Sequence, residues 1–411
     1  MFFFDKLFSF KRMQKVIRDP IHGYIEIDEL AIAIIDTVEM QRLRRIKQLG
    51  FAYLVYPGAN HTRFEHSLGT YHLMDVLLDT LEVAKEGEKE LLVASLIHDI
   101  GHGPYSHVTE PLLKKITGKS HEDIEDIIFK QDTEHSIAEV LEEHCVDKRK
   151  VMSYIKGVRA EYGDKHDFSR ILNGEIDVDK MDYLVRDSYY TGVAYGVVDN
   201  IRLIQGLDFF KGSLVITEKG ILSAEYLLFS RFLMYPSVYN HHTSRIAQLM
   251  LLKALEYLIE SKSDALALRK MDDSEIDIAL RTAKGYPGEM MERINERRLF
   301  KRTVSKTIND PSIAEELRAE KRRKELEEEI SKRAGVDVKY IILDFQREKG
   351  DELKESAARV AVGNELRSLR EVSPLVSMLS QVFPEKYTVW VYTLEKYREA
   401  VKKAAEMVLW R

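Results

Sequence analysis

The sequence predicts a mostly α-helical protein: a helical core with one small β-hairpin, followed by a smaller α+β region at the C-terminus. Three observations lead there. Apolar residues recur at helical spacing from Asp28 to about Arg245. Two short apolar runs flank Lys211-Gly212 in the manner of a hairpin. After about Glu260 the character changes, with a charge-rich stretch and then two β-rich runs.

Residues 1–14 are an aromatic, apolar segment. Asp5 and Lys6 interrupt it and it lacks a small-residue cleavage site, so it is a poor signal peptide. It is expected to pack on the domain or on a partner subunit, with membrane-surface attachment as the alternative. Residues 15–260 form the expected helical core. There Ile32, Ile35, Val38, Leu43, Ile46 and Leu49 keep helical spacing, and Gly50 supplies a stop. Leu68–Ala84 and Glu90–Ile100 read as further helices, the second buried on most sides. Gly101-His102-Gly103-Pro104 cannot continue it. Phe209-Phe210 and Leu214-Val215-Ile216 are the arms of the hairpin. Residues 261–411 form the expected regulatory or oligomerisation region. Glu315–Arg333 reads as an exposed helix with opposite charges at i,i+4, Val338–Phe345 and Lys386–Thr393 as strands, and Leu394–Leu409 as an amphipathic helix.

The 411 residues suit two or three domains at roughly 100–200 residues each. A 45% hydrophobic and 32% charged composition excludes a mostly disordered or collagen-like chain. Sixty-two basic and 68 acidic residues give a net charge of -6, so no global basic field recruits nucleic acid, although a local patch remains open. Cys145 stands alone, which excludes an intrachain disulfide framework and a Cys-rich zinc site and suits a reducing, cytoplasmic setting. No apolar run approaches the roughly 20 residues of a membrane span.

The chemistry concentrates in short stretches. One is Arg63-Phe64-Glu65-His66. A second is His98-Asp99 with Gly101, His102, Gly103, Pro104 and His107. A third is Asp177, Asp179, Lys180, Asp182 and Tyr183. An aspartate beside a histidine at an apolar helix end is expensive to bury as a free charge. A bound cation, a salt bridge or a helix-end hydrogen bond each offsets that cost. Neighbours about 100° apart on a helix converge on one ion only near a terminus or at a site large enough for two metals. Gly101 and Gly103 supply the terminus. His66, His98, Asp99 and Asp179 would make a two-His, two-Asp set that suits Mn, Fe, Zn, Ni, Co or Mg without choosing among them. His102 and His107 lie just beyond, placed for acid–base work or for neutralising phosphate oxygens.

This pattern resembles the metal signature of the HD-domain phosphohydrolase superfamily. Asp19-Pro-Ile-His22-Gly23, Gln41-Arg-Leu-Arg44-Arg-Ile-Lys-Gln48-Leu49-Gly50, Arg63-Phe-Glu-His66-Ser-Leu-Gly69, His98-Asp-Ile-Gly-His102-Gly-Pro104 and Asp177-Val-Asp-Lys-Met-Asp-Tyr183 occur in the order of one branch. That branch comprises the SAM-and-HD-domain deoxynucleotide triphosphohydrolases and their bacterial and archaeal relatives. The resemblance covers roughly residues 15 to 300, without the sterile alpha motif domain. It implies hydrolysis of a dNTP to the deoxynucleoside and inorganic triphosphate. It makes His66, His98, Asp99 and Asp179 the metal ligands and His107 the acid for the leaving oxygen. His102 and His121 would line the α-phosphate, and Glu122 would orient the histidines. Glu110 stands where the branch usually has aspartate.

For the substrate, the resemblance implies Arg63, Lys180 and Arg231 on the phosphates and Tyr183 on the sugar. Asp187 and Gln48, next to Leu49, would lie by the 3′-hydroxyl, and Tyr239 against C2′. Asn240 replaces a glutamine in that pattern. The branch's oligomers also carry a nucleotide activator between subunits. The corresponding positions are Asp36, Gln41 and Arg44, with Lys15, Arg297 and Lys301 on its phosphates. The expected partners are therefore a dNTP substrate, GTP or a dNTP as activator, and further copies in a dimer or tetramer. Two other readings stay open: an HD phosphatase or phosphodiesterase acting on another nucleotide, and a nucleic-acid-binding protein with a vestigial metal site.

Overall fold

The computed structural model describes residues 15–81, 87–130, 134–159, 166–259, 261–348, 351–382 and 386–410. The expectation for residues 1–14 lies outside them. Strands β1 (Lys15–Asp19) and β2 (Gly23–Ile27) form an antiparallel hairpin. The apolar series that follows makes two short helices, Glu29–Ile35 and Val38–Leu43. The Thr37 hydroxyl donates to the Ile34 carbonyl at 2.7 Å and closes the first.

Helix α1 (Arg63–Thr80) begins five residues earlier than the hydrophobic pattern suggests, because Thr62 and Glu65 form a reciprocal capping box. Helix α2 (Glu88–Ile97) stops at His98. Helix α3 (Val178–Thr191) is capped by the Asp177 carboxylate on the Lys180 N–H and ends at Gly192, whose φ is 76°. β3 (Leu207–Phe210) and β4 (Ser213–Thr217) are the expected hairpin. Lys211 and Gly212 both have positive φ, as a tight two-residue turn demands. Helices α4 (Ile221–Met234) and α5 (His242–Leu258) follow, joined through a π-helical turn at Tyr235–Tyr239.

The C-terminal third contributes β5 (Lys301–Ile308), β6 (Ile341–Glu348), β7 (Arg359–Val362), β8 (Glu365–Ser368) and β9 (Lys386–Thr393). β5, β9 and β6 make an antiparallel sheet with β9 central. β5 was hidden in the sequence because only Val304 and Ile308 turn inward from a run of basic and hydroxyl residues. The charged helix is two helices, Pro311–Arg318 and Glu320–Ala334. Between them, Arg323 donates to the carbonyls of Leu317 and Arg318 and so satisfies the first helix's end. The strand expected from Val338 starts at Ile341, after a 3₁₀ turn held by Asp337. The last helix starts at Arg398 rather than Leu394. β7 does not join this sheet. It runs parallel to β4, extending the core hairpin to the order β3-β4-β7-β8.

Three apolar clusters underlie this arrangement. The largest joins α1, α2, α3 and α4. The second surrounds α5, and the third lies under the β5-β9-β6 sheet. Among the described residues, no helix is long and apolar enough to cross a membrane.

The α1–α3 crossing depends on Gly69. A Cβ there would lie 1.8 Å from Asp182 Oδ1 and 2.5 Å from Arg186 Nη2. Ala is ordinarily the better helix former by about 1 kcal/mol. Here overpacking should reverse the sign: Gly69→Ala should destabilise by about 1–3 kcal/mol, read as a lower urea midpoint at unchanged m-value.

Candidate metal centre and adjoining cleft

Three helix ends converge on one point. His66 lies in the first turn of α1, His98 and Asp99 follow the end of α2, and Asp179 lies in the first turn of α3. His66 Nε2 is 3.2 Å from His98 Nε2 and 2.8 Å from Asp179 Oδ1. His98 Nε2 is 3.6 Å from the same oxygen. One donor atom from each of His66, His98 and Asp179 lies within 4.8 Å of the others. Asp99 flanks this trio, 3.5 Å from His98 Nε2 and 3.8 Å from His66 Nε2, while its Oδ2 also accepts from Arg63 Nη1 at 2.6 Å.

The ring tautomers test whether this donor set suits a cation. His98 Nδ1 contacts the Ser95 carbonyl at 2.8 Å, and His66 Nδ1 contacts Asp182 Oδ2 at 2.7 Å. Both acceptors require an N–H, so in each neutral ring the lone pair sits on Nε2. Two lone pairs and a carboxylate oxygen then face one another, which repels unless a positive charge joins them. The residues fit a divalent ion.

The electrostatics agree. Burial disfavours a charged His66, but hydrogen bonds to Asp179 and Asp182 outweigh it and push the ring up to about 10. Burial alone would raise Asp99, yet Arg63, His98 and His102 hold it well below the usual carboxylate range. Asp179 is likewise held down by His66 and His98.

A second cluster adjoins. His102, His107, Glu110 and His121 each place a polar atom within 4.8 Å of the others. The rings of His102 and His121 stack at 4.1 Å. Glu110 accepts from His107 Nδ1 at 3.0 Å and, through its other oxygen, from His121 Nδ1. The longer glutamate side chain thus spans both rings. Glu122 accepts from Asn173 at 3.1 Å, lines the same chamber as these histidines, and makes no hydrogen bond to a histidine among the described residues. Gly101 allows the loop to close, since a Cβ there would lie 2.0 Å from the His121 carbonyl oxygen. Burial and the nearby Arg63 hold His102 well below its ordinary value, so it is neutral at pH 7.

Both clusters open into a chamber of about 140 Å³, lined by Arg63, Asp99, His121, Glu122 and Lys180 among others. Gln48, Arg63, His107 and Tyr183 also line a second compartment of about 330 Å³, together with Leu49, Asp187 and Tyr239. At this junction, Arg63 Nη2 and Gln48 Oε1 are buried with no hydrogen-bond partner among the described residues. Arg63 is otherwise fixed by Asp99 and by Ser106 Oγ, 2.5 Å from Nε. Lys180 Nζ reaches Asp177 at 2.6 Å and the Gly174 carbonyl at 2.8 Å. Asp187 accepts from His61 at 2.8 Å and from Tyr239 at 2.9 Å.

Two expected substrate residues are not among those lining the compartments. Asn240 is exposed at the end of the π-helical turn and does not line the second compartment. Arg231 is not itself a lining residue of the chamber; it binds Glu355 at 3.0 Å and Tyr235 at 2.8 Å and also hydrogen-bonds Tyr183, which does line it.

The expected activator positions form three separate groups in one subunit. Asp36, Gln41 and Arg44 share one turn, with Arg44 on Gln41 Oε1 at 3.0 Å and over the Phe64 ring at 3.6 Å. Lys15 lies on β1. Arg297 donates to the Leu54 carbonyl at 3.3 Å near Lys301 at the start of β5. No hydrogen bond or ion pair joins the three groups among the described residues.

Sequence reasoning placed Asp182 in a motif but gave it no role. It is fully buried and accepts from His66, His22 Nε2 at 2.6 Å and Arg186. Arg186 also binds Asp19 at 2.8 Å. The Asp19…His22 and Asp182…Arg186 spacings were visible in the motif runs, but only the fold brings them together.

Comparison with known proteins gives a consistent picture. Residues 63–187 match the HD domain and residues 198–410 match the HD associated region. An uncharacterised protein of Methanocaldococcus jannaschii is 34% identical over 401 residues, spanning 95% of this chain and 81% of that one. A deoxynucleoside triphosphate triphosphohydrolase SAMHD1 homolog of Dictyostelium discoideum is 31% identical over 265 residues, or 61% of this chain and 50% of that one. This chain therefore spans about half the length of that relative. The crystal structure of a phosphohydrolase from Bacteroides thetaiotaomicron is similar at a TM-score of 0.75 and 27% identity, over 93% of this chain and all of that one.

Two outcomes follow from the geometry. The metal-free protein should lose stability in alkali: a His66 pKa raised from 6.5 to about 10 contributes stability that is complete below pH 6.5 and lost as pH rises through about 10. Urea midpoints of chelator-treated protein at pH 7 and pH 10 check this, with addition of a divalent ion reducing the difference. Asp182→Ala should cost about 3–5 kcal/mol by stranding Arg186, and should weaken metal affinity about 10–100-fold in a competition titration.

Proposed function

The chain belongs to the HD-domain phosphohydrolase superfamily, and on that premise we propose that it hydrolyses deoxynucleoside triphosphates to the deoxynucleoside and inorganic triphosphate. We further propose that GTP or a dNTP, bound between subunits of a dimer or tetramer, activates it. The observation that carries the reading is the junction of the two compartments. There Arg63 Nη2 is a buried donor in want of an anion, and Gln48 Oε1 a buried acceptor in want of a hydroxyl. A nucleotide with phosphates on one side and a sugar hydroxyl on the other satisfies both.

In this reading His66, His98, Asp99 and Asp179 hold a divalent ion of open identity. The ion supplies Lewis-acid charge to the α-phosphoryl group and favours ionisation of the attacking water. Arg63 and Lys180 hold the phosphate chain in the chamber, and His102 and His121 line the α-phosphate. Water adds to the α-phosphorus as the bond to the 5′-oxygen breaks. His107 in its doubly protonated form, with Nδ1–H on Glu110, gives the departing oxygen the proton on Nε2, and the proton released by the attacking water restores it. Asp187 can accept from the 3′-hydroxyl beyond its bonds to His61 and Tyr239. The Tyr239 hydroxyl is spent on Asp187, so its ring would meet C2′ without a partner for a 2′-hydroxyl. The architecture shared with a triphosphohydrolase homolog over residues of the core supports the substrate class. The activator is supported by the acid, amide and guanidinium that share the turn at Asp36, Gln41 and Arg44.

A second reading, a phosphatase or phosphodiesterase acting on a shorter phosphate, draws on one observation: Glu355 engages Arg231. A metal-by-nucleotide screen, with and without GTP, separates the two when products are resolved by chromatography. Inorganic triphosphate from a dNTP is the expected product; pyrophosphate or monophosphate from it would overturn the proposal. Asp179→Ala should reduce turnover by more than about a thousandfold, the several kcal/mol a metal contributes, while the circular-dichroism spectrum is unchanged. Arg44→Ala should retain metal binding and lose the dependence of rate on added GTP.

A further inference from the structure

We propose that Glu355 sets the length of phosphate chain that the cleft accepts, because its carboxylate occupies the seat of a terminal phosphate. The inference rests on the nucleotide reading of the cleft and extends it to a residue from the C-terminal region.

Glu355 lies on the 3₁₀ turn Asp351–Ala357, far along the chain from the metal cluster, yet it is 0% exposed. Its Oε2 accepts from Arg231 Nη1 at 3.0 Å. Arg231 also hydrogen-bonds Tyr183, which lines the phosphate chamber together with Lys180. The arrangement is that of an anion on the cations of an anion site. It is also incomplete, since Oε1 is buried with no hydrogen-bond partner among the described residues. A carboxylate selected only to brace Arg231 would be expected to have both oxygens satisfied.

The chemistry sorts ligands by length. A carboxylate carries one negative charge on two oxygens, whereas a terminal phosphate carries up to two on three and binds Arg and Lys more strongly. An anion too short to reach Arg231 leaves Glu355 in place and meets only Arg63 and Lys180. A triphosphate reaches Arg231 and displaces it.

Titration calorimetry of the full-length, metal-loaded protein tests this, with inorganic tripolyphosphate and orthophosphate as probes in excess magnesium. Glu355→Gln keeps the shape and removes the charge; Glu355→Ala removes both. Tripolyphosphate should bind both variants about tenfold more tightly than wild type, with orthophosphate changed less than about twofold. Unchanged or weaker tripolyphosphate binding would overturn the inference. So would an equal gain for orthophosphate, which would mark a general change of field, or an absence of binding throughout. The readout is independent of turnover. A wild type that releases no triphosphate from dNTPs, beside variants that gain tripolyphosphate affinity selectively, would refute the dNTP reading and leave the role of Glu355 standing.

Discussion

The hydrogen bond between Asp182 and His66 Nδ1 is the contact on which the rest of the centre depends. It fixes the tautomer, and the tautomer aims the Nε2 lone pair at His98 and Asp179. A carboxylate with no solvent access cannot stand alone. Arg186 and His22 hold it, and Asp19 in turn holds Arg186. Asp19 and His22 come from the opening hairpin, His66 from α1, and Asp182 and Arg186 from α3. One buried charge network therefore ties three separated pieces of sequence, and Gly69 gives them room.

The same electrostatic logic sorts the histidines. Where carboxylates surround a ring, as at His66, positive charge is favoured. Where a guanidinium stands close in a dry setting, as at His102, the neutral form wins. Arg63 contributes to both sides, lowering Asp99 and discouraging a second cation at His102. His66 and His102 are thus pushed in opposite directions because different neighbours face them.

Much of this was legible in the chain. Helices with strong apolar periodicity, the Lys211-Gly212 turn and the meeting of His66, His98, Asp99 and Asp179 all followed from local pattern or motif order. Features set by remote contacts were not. β5 lacked alternation, Ala319 broke a helix that charge spacing favoured, and Arg231 met a glutamate over a hundred residues later in the chain. That Glu110 spans the rings of His107 and His121 was set by side-chain reach across the fold, which order in the sequence does not show.

The parallel alignment of β7 with β4 has an architectural consequence. β4 is paired on both flanks, by β3 from the core and by β7 from the C-terminal third. A chain shortened before residue 359 would keep the hairpin but bare one side of β4 over Ile216 and Thr217, leaving unpaired amides and carbonyls at a ready seam for self-association. The late strands thus act as a guard on the open edge of the core hairpin.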